Sequence, residues 1–227
     1  MFMNVFAPNF TVNIAGIKII APSIYEWATM VFLIIASILL TRKMSTRKPS
    51  KIQTLIEMLY SFLEGLVVDN VGEEYSNFIP VLGTMFMMLF ILDTSGMLGF
   101  SEATSNLSVT AGFTIITFCI MHGNAIKKNG VKEYFKGYAR PYVPMILLNL
   151  MELFILPLSL CLRLFGNMLA AAIVVGLVYS GLNSLNWACQ LVIPIPVHLF
   201  FDAFDGIIQT IIFVMLTVMY MKLQAEH

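Results

Sequence analysis

One arginine in this sequence sits where an arginine is expensive. Ten of the 13 Lys and Arg residues fall in two polar loops, and Lys18 and Lys222 lie outside or at the end of apolar runs. That leaves Arg163, deep within LPLSLCLRLFGNMLAA. An arginine at the centre of a bilayer costs at least ~2.5–3.5 kcal/mol on insertion scales, so it is kept where it meets an aqueous cavity or an anion. A snorkelling side chain or a salt bridge inside a helix bundle is the structural alternative. Snorkelling fits poorly, because a long, mostly apolar stretch flanks Arg163 on each side, with Glu152 its only other charge. Asn167 follows four residues later and Glu152 precedes by eleven, which places both near the same helix face. In the last apolar segment His198, Asp202, Asp205 and Gln209 are spaced by four, three and four, which predicts one polar stripe on an α-helix. Such a stripe can glue two helices by hydrogen bonds, or it can line a hydrated ion path. The ion path is the expected reading.

The elements that position these residues follow from composition. The chain has 227 residues, 59% hydrophobic and 11% charged, where soluble domains carry roughly 25% charge. Mean hydropathy is +0.85, and a chain this poor in charge expects lipid as its solvent. Net charge is zero, which gives no ground for a nucleic-acid partner. Cys119, Cys161 and Cys189 stand singly in apolar stretches and read as small buried apolar groups. His122, His198 and His227 are too scattered for a haem bundle. No metal or cofactor is expected, and no GxxxxGK[ST] motif is present. The N-terminus lacks a basic start with a long apolar core, so it is expected to be mature sequence rather than a signal peptide.

Along the chain, the first crossing is expected over Ser23–Leu40, entered through Tyr25 and Trp27 at the interface. The basic run TRKMSTRKPSK follows and is cytoplasmic by the positive-inside rule. Residues 52–70 repeat Leu55, Met58, Leu59, Phe62 and Leu66 at helical spacing, which predicts an amphipathic helix along the membrane surface. Phe78–Leu98, interrupted by Asp93, and Leu107–His122 are the next crossings. AIKKNGVKEYFKGYAR is then cytoplasmic again. Pro141–Tyr179 and Trp187–Leu223 are longer than the ~20 residues a crossing needs, so they must tilt or bend. Pro157, Pro194 and Pro196 are the expected bends. The expected fold is all-α: about five crossings and one surface helix in a single domain over 1–227. The N-terminus is outside, the C-terminus is cytoplasmic, and the last two long helices pack as a tilted hairpin.

The same segments resemble a known family. LSLCLRLFGNMLA resembles the signature around the essential arginine of the ATP synthase a-subunit, DGIIQTIIFVMLTVMYM its last helix with its glutamine, and FIPVLGTMFMMLFILDTSGMLGF its second spanning segment. By position, Arg163 matches the essential arginine, Asn167 the asparagine after it, and Gln209 the last-helix glutamine. Asp202 stands where some members carry histidine and others glutamate. Where many bacterial members have a glutamate nine residues beyond the arginine, this chain has Ala172. Where many have one before the helix's proline, it has Asn149, with Glu152 one turn later.

The resemblance implies partners: a ring of c-subunits with mid-membrane carboxylates, a b-subunit peripheral stalk and the remaining ATP synthase subunits, in a lipid bilayer, expected to be a bacterial plasma membrane. It implies a non-catalytic, ion-translocating subunit with two offset half-channels for H+ or Na+. Asp202, Asp205, Gln209 and His198 would line the outer one, with Asn167 beside Arg163, and Glu152 and Asn149 the cytoplasmic one. The rival is a secondary transporter whose intramembrane arginine binds an anionic substrate. Such folds show paired repeats, and no fixed-period repeat is visible here.

Overall fold

The computed structural model describes residues 11–14, 17–42, 44, 50–98, 103–137, 145–183 and 193–226. Two short antiparallel strands, β1 (Thr11–Ile14) and β2 (Ile17–Ile20), form a hairpin that the sequence reading did not anticipate. Everything after it is helical. α1 covers Ala21–Thr41 and α2 covers Lys51–Val71. A 3-10 turn over Glu73–Phe78 leads into α3 (Ile79–Thr94), and α4 runs from Leu107 to Asn129. The short α5 (Val131–Gly137) precedes α6 (Met145–Asn183). α7 (Pro194–His198) passes through a π-helical segment, Leu199–Asp205, into α8 (Gly206–Glu226).

Among the described residues, five helices are long and apolar enough to cross a membrane. The first three begin within about five residues of the expected crossings, and the last two, from Leu153 and Pro194, begin later than the expected Pro141 and Trp187. α4 reaches seven residues past His122, because Lys127 and Lys128 suit the negative end of its dipole. Asn106 caps its start by accepting from Ser108 N at 3.0 Å. Ser50 caps α2 in the same way from Gln53 N, at 3.2 Å. Gly72 and Gly130 end α2 and α4 at φ +98° and +78°, where a side chain would be strained. α6 has 39 residues, which at ~1.5 Å each is nearly twice a ~30 Å hydrocarbon core. It continues through Pro157 without a break, so that proline does not interrupt the helix as a bend could. In the last long segment, Pro194 opens α7, and the irregularity falls beyond it, in the π segment. Of the turn expected near residues 180–186, residues 180–183 still belong to α6 and 184–186 lie outside the described residues.

Two apolar clusters hold the bundle. One joins Leu63, Val67 and Val71 of α2 to Ile79, Leu82 and Phe86 of α3, Met121 of α4, and Val214, Val218 and Met221 of α8. The other joins Leu89 and Leu92 of α3 to Phe113 of α4, Leu160 and Leu164 of α6, and Phe213 of α8. α8 thus runs down the middle, and α1 lies at the edge, with no buried residue in its spanning segment. Thr110, Thr114 and Thr117 of α4 and Thr210 and Thr217 of α8 are all buried. Each returns its hydroxyl to a carbonyl of its own helix, as groups without water must.

On α2 the repeat Leu55, Met58, Phe62 is exposed, as an apolar face turned to lipid allows, and the residues buried against the bundle are Leu63, Val67 and Val71. One expectation needs correcting: Cys119 is exposed on α4, while Cys161 is buried as expected and Cys189 lies outside the described residues.

The ends of the helices also sort themselves. Lys128 pairs with Glu74 at 2.8 Å, and Asn129 donates to the carbonyl of Ala225 at 3.0 Å. The start of α3, the end of α4 and the end of α8 therefore share one end of the bundle, beside the basic residues around 127–132. At the other end α8 crosses α3 closely: a Cβ added to Gly206 would lie 3.2 Å from Asp93 Cβ and 3.6 Å from its backbone. Gly206→Val is expected to force the helices apart and destabilise the chain by ~1–3 kcal/mol, lowering its melting temperature in detergent. Gly112→Val, whose Cβ would meet nothing within 4 Å, should leave the melting temperature nearly unchanged.

Candidate functional site

Arg163 sits midway along α6, one turn beyond the buried Leu160 and beside the buried Leu164, which anchor that side of the helix. The arginine itself is half-buried. Among the described residues it makes no ion pair and no hydrogen bond. Its face of α6 continues through Ala170, Val174 and Leu177, all exposed. Among the described residues, therefore, the guanidinium is not held in a salt bridge within the bundle, and the face it belongs to is apolar and exposed further along the helix.

Asn167, one turn on, turns the other way. Its Nδ2 donates to Oε1 of Gln209 at 2.9 Å, and Gln209 is 2% exposed. This bond ties α6 to α8 at the level of the arginine. A second tie lies some 18 Å further along α6, twelve residues at ~1.5 Å each, where the Tyr179 hydroxyl meets His198 Nε2 at 3.2 Å. The other ring nitrogen of His198 meets Asp202 Oδ2 at 2.7 Å. Tyr179, His198 and Asp202 form a hydrogen-bonded chain that starts on an exposed residue and ends on a carboxylate 1% exposed. An imidazole held between a hydroxyl and a carboxylate can take a proton at one nitrogen and release one at the other.

The structure does not keep the four polar residues on one stripe. Leu199–Asp205 is π-helical, and its i→i+5 winding carries more residues per turn, so a spacing of three no longer returns to the same face. Asp202 and Gln209 are buried, whereas Asp205 is half-buried without a hydrogen bond among the described residues. Asn149 is half-buried near the start of α6, well away from this group. Glu152 lies on α6 three turns before Arg163, with its side chain outside the described residues.

Sequence reasoning passed over one residue. Asp93 interrupts an apolar run and reads as a break, yet α3 continues through it and its side chain is fully buried. Thr210 Oγ1 of α8 donates to Asp93 Oδ2 at 3.3 Å, and the Gly206 backbone lies against it. Asp93 Oδ1 and Asp202 Oδ1 are both buried without a hydrogen-bond partner among the described residues. The signal that could have found Asp93 is the one used for Arg163: an ionisable residue inside a spanning segment. Among the described residues no group of three His, Cys, Asp or Glu has the arrangement of a metal site.

The tie between the two long helices is testable by itself. A double-mutant cycle on Asn167→Ala and Gln209→Ala is expected to give a coupling of ~0.6–1.7 kcal/mol, the range found for polar pairs between helices in membranes. It is read from unfolding in mild detergent. Additive effects would mean that the two side chains do not interact.

The family model described as ATP synthase A chain matches residues 23–222. The chain is 30% identical to ATP synthase subunit a of Moorella thermoacetica over 209 residues, 92% of each protein. It is 30% identical to ATP synthase subunit a of Staphylococcus aureus over 240 aligned positions, 99% of this chain and 96% of that one. It is 28% identical to the ATP synthase subunit a of Propionigenium modestum named as sodium ion specific, over 96% of this chain and 78% of that one.

Proposed function

The chain belongs to the ATP synthase A chain family, and on that premise we propose that it passes ions to and from a ring of partner subunits that each carry a membrane-buried carboxylate. It is an integral membrane protein and a component of the ATP synthase complex. The observation that carries the proposal is Arg163, a half-buried cation on an exposed apolar helix face with no anion of its own among the described residues. An arginine so placed calls for an anion from outside the chain. A ring of carboxylates turning past α6 supplies one, and the exposed line of Ala170, Val174 and Leu177 gives the partner helix a surface on which to slide.

The chemistry follows from charge. A ring carboxylate crossing lipid must be neutral, with its proton or Na+ bound. Beside Arg163 at ~4 Å, with an effective dielectric near 20, the ionised form gains about 4 kcal/mol. That favours the emptied carboxylate by about three orders of magnitude, enough to strip the ion. The same guanidinium repels cations, so an ion cannot run straight from one access path to the other. Each elementary charge that crosses delivers ~2.3 kcal/mol per 100 mV, available for rotation.

For the path on the far side from the basic loops, we propose the relay Tyr179, His198 and Asp202, with Asp93, Asp205 and Gln209 around it. The support is that this end of the bundle holds two buried carboxylates, each with one oxygen unmet among the described residues, and a hydrogen-bonded chain reaching one of them from an exposed residue. Asn167 holds Gln209 at the height of Arg163. Asn149 and Glu152, toward the opposite end of α6, are proposed for the second path. The end with the basic runs faces the cytoplasm under the positive-inside rule, which puts the C-terminus inside and suits a bacterial plasma membrane. The family membership leaves the secondary-transporter reading without support.

The test is ATP-driven ion uptake into liposomes by the whole complex, with native chain or Arg163→Ala, in the presence and absence of Na+. Losing the ~4 kcal/mol of Arg163 is expected to slow coupled uptake by about a thousandfold, to background. Dependence on Na+ names the ion as sodium, and uptake without Na+ names it as the proton. Uptake that survives in Arg163→Ala would make the arginine structural and overturn the proposal.

A further inference from the structure

α1, α2 and α3 enclose a groove of about 610 Å3 that the ion path does not use. Its walls are almost wholly apolar, with Leu33, Ile34 and Ile38 of α1 facing Leu59 and Leu63 of α2 and Met87 of α3. It opens outward, because α1 buries nothing in its spanning segment and Ile34 and Ile38 remain exposed. A groove of this size is within the roughly 300–1,000 Å3 of small-molecule sites. Along α1 it runs from Leu33 to Thr41, the helix's last residue. Those eight steps at ~1.5 Å give about 12 Å, less than half of a ~30 Å hydrocarbon core and within the depth of one leaflet.

The two ends of the groove differ. Toward Leu33 it is aliphatic. At the other end lies Thr41, the last residue of α1, and Arg42 follows it directly. Arg42 is exposed and makes no ion pair among the described residues. Lys51, also exposed, opens α2, the other wall. Residues 42–51 hold five basic residues and no acidic one. A membrane-spanning partner helix would need the full bilayer depth, and this groove supplies less than half of it.

We propose that this groove seats one acyl chain of an anionic phospholipid from the adjoining leaflet, with the phosphate held at Arg42 and Lys51. Apolar burial of the chain and basic attraction of the headgroup are the two terms that hold anionic lipids on proteins, and here the apolar groove ends at Thr41, directly before Arg42. The site is independent of the ion path, so neither claim stands or falls with the other.

The test uses the purified complex containing this chain in neutral detergent, titrated with dioleoyl phosphatidylglycerol or dioleoyl phosphatidylcholine, with bound lipid counted by native mass spectrometry. Phosphatidylglycerol is expected to bind at least about tenfold more tightly than phosphatidylcholine. Arg42→Gln combined with Lys51→Gln, both exposed and so tolerated by the fold, should erase that preference. Ser37→Phe, which fills the groove from its wall, should weaken both lipids while the basic residues remain. Equal binding of the two lipids by the native chain would overturn the proposal, as would unchanged binding in Ser37→Phe. Cross-linking of Ser37→Cys to a partner subunit's helix would also overturn it, because a protein would then fill the groove.

Discussion

A guanidinium inside an apolar helix must be met by water or by an anion, and this chain gives Arg163 neither a carboxylate nor a hydrogen-bond acceptor among the described residues. That one unmet charge organises the site. Around it α6 shows two different faces: Leu160, Leu164 and Met168 are buried against the bundle, while Ala170, Val174 and Leu177, two to four turns beyond Arg163, stay exposed. The neighbouring polar residue turns inward. Asn167 bonds to Gln209 and fixes the height and rotation of α6 against α8, leaving the arginine free to meet a group from another chain.

The rest of the bundle serves that placement. α8 contributes Phe213, Val214, Val218 and Met221 to the two apolar clusters, and its buried threonines satisfy their own hydroxyls within the helix. Packing with no hydroxyl left over lets α8 serve as a rigid post. Against that post α3 presents Asp93 at the Gly206 crossing, and α6 presents Arg163. Two of the buried polar atoms without a hydrogen-bond partner among the described residues, Asp93 Oδ1 and Asp202 Oδ1, lie toward the same end of α8 as the Tyr179–His198–Asp202 chain.

Much of this was legible in the sequence, for physical reasons. Charge-flanked apolar runs located the five crossings, because lipid excludes charge more strictly than a soluble core does. The lone arginine was legible because nothing else basic lies deep in an apolar run. Other features left no trace in composition. LFFDAFD carries no mark of a π turn, so an α-helical stripe was drawn through Asp205 where the chain winds differently. The inward face of α2 left no such mark, because apolar residues suit lipid as well as protein and Leu55 and Met58 cannot be told by type from Leu63 and Val67. Asp93 looked like a break because its partner, Thr210, is 117 residues away. The resemblance identified the family, and only the fold could show that Asn167 and Gln209 hold each other.

The central claim is that the arginine face of α6 meets a carboxylate-bearing helix of another subunit. Ala170 lies on that face two turns from Arg163 and is exposed. The direct measurement is disulfide cross-linking of Ala170→Cys in the assembled complex to cysteines placed on the ring subunit's helix near its carboxylate. The account predicts a cross-linked product at ring positions level with that carboxylate, and none from a cysteine at the buried Met168. Cross-links from Ala170→Cys only to non-ring subunits, or none to the ring at any height, would contradict it.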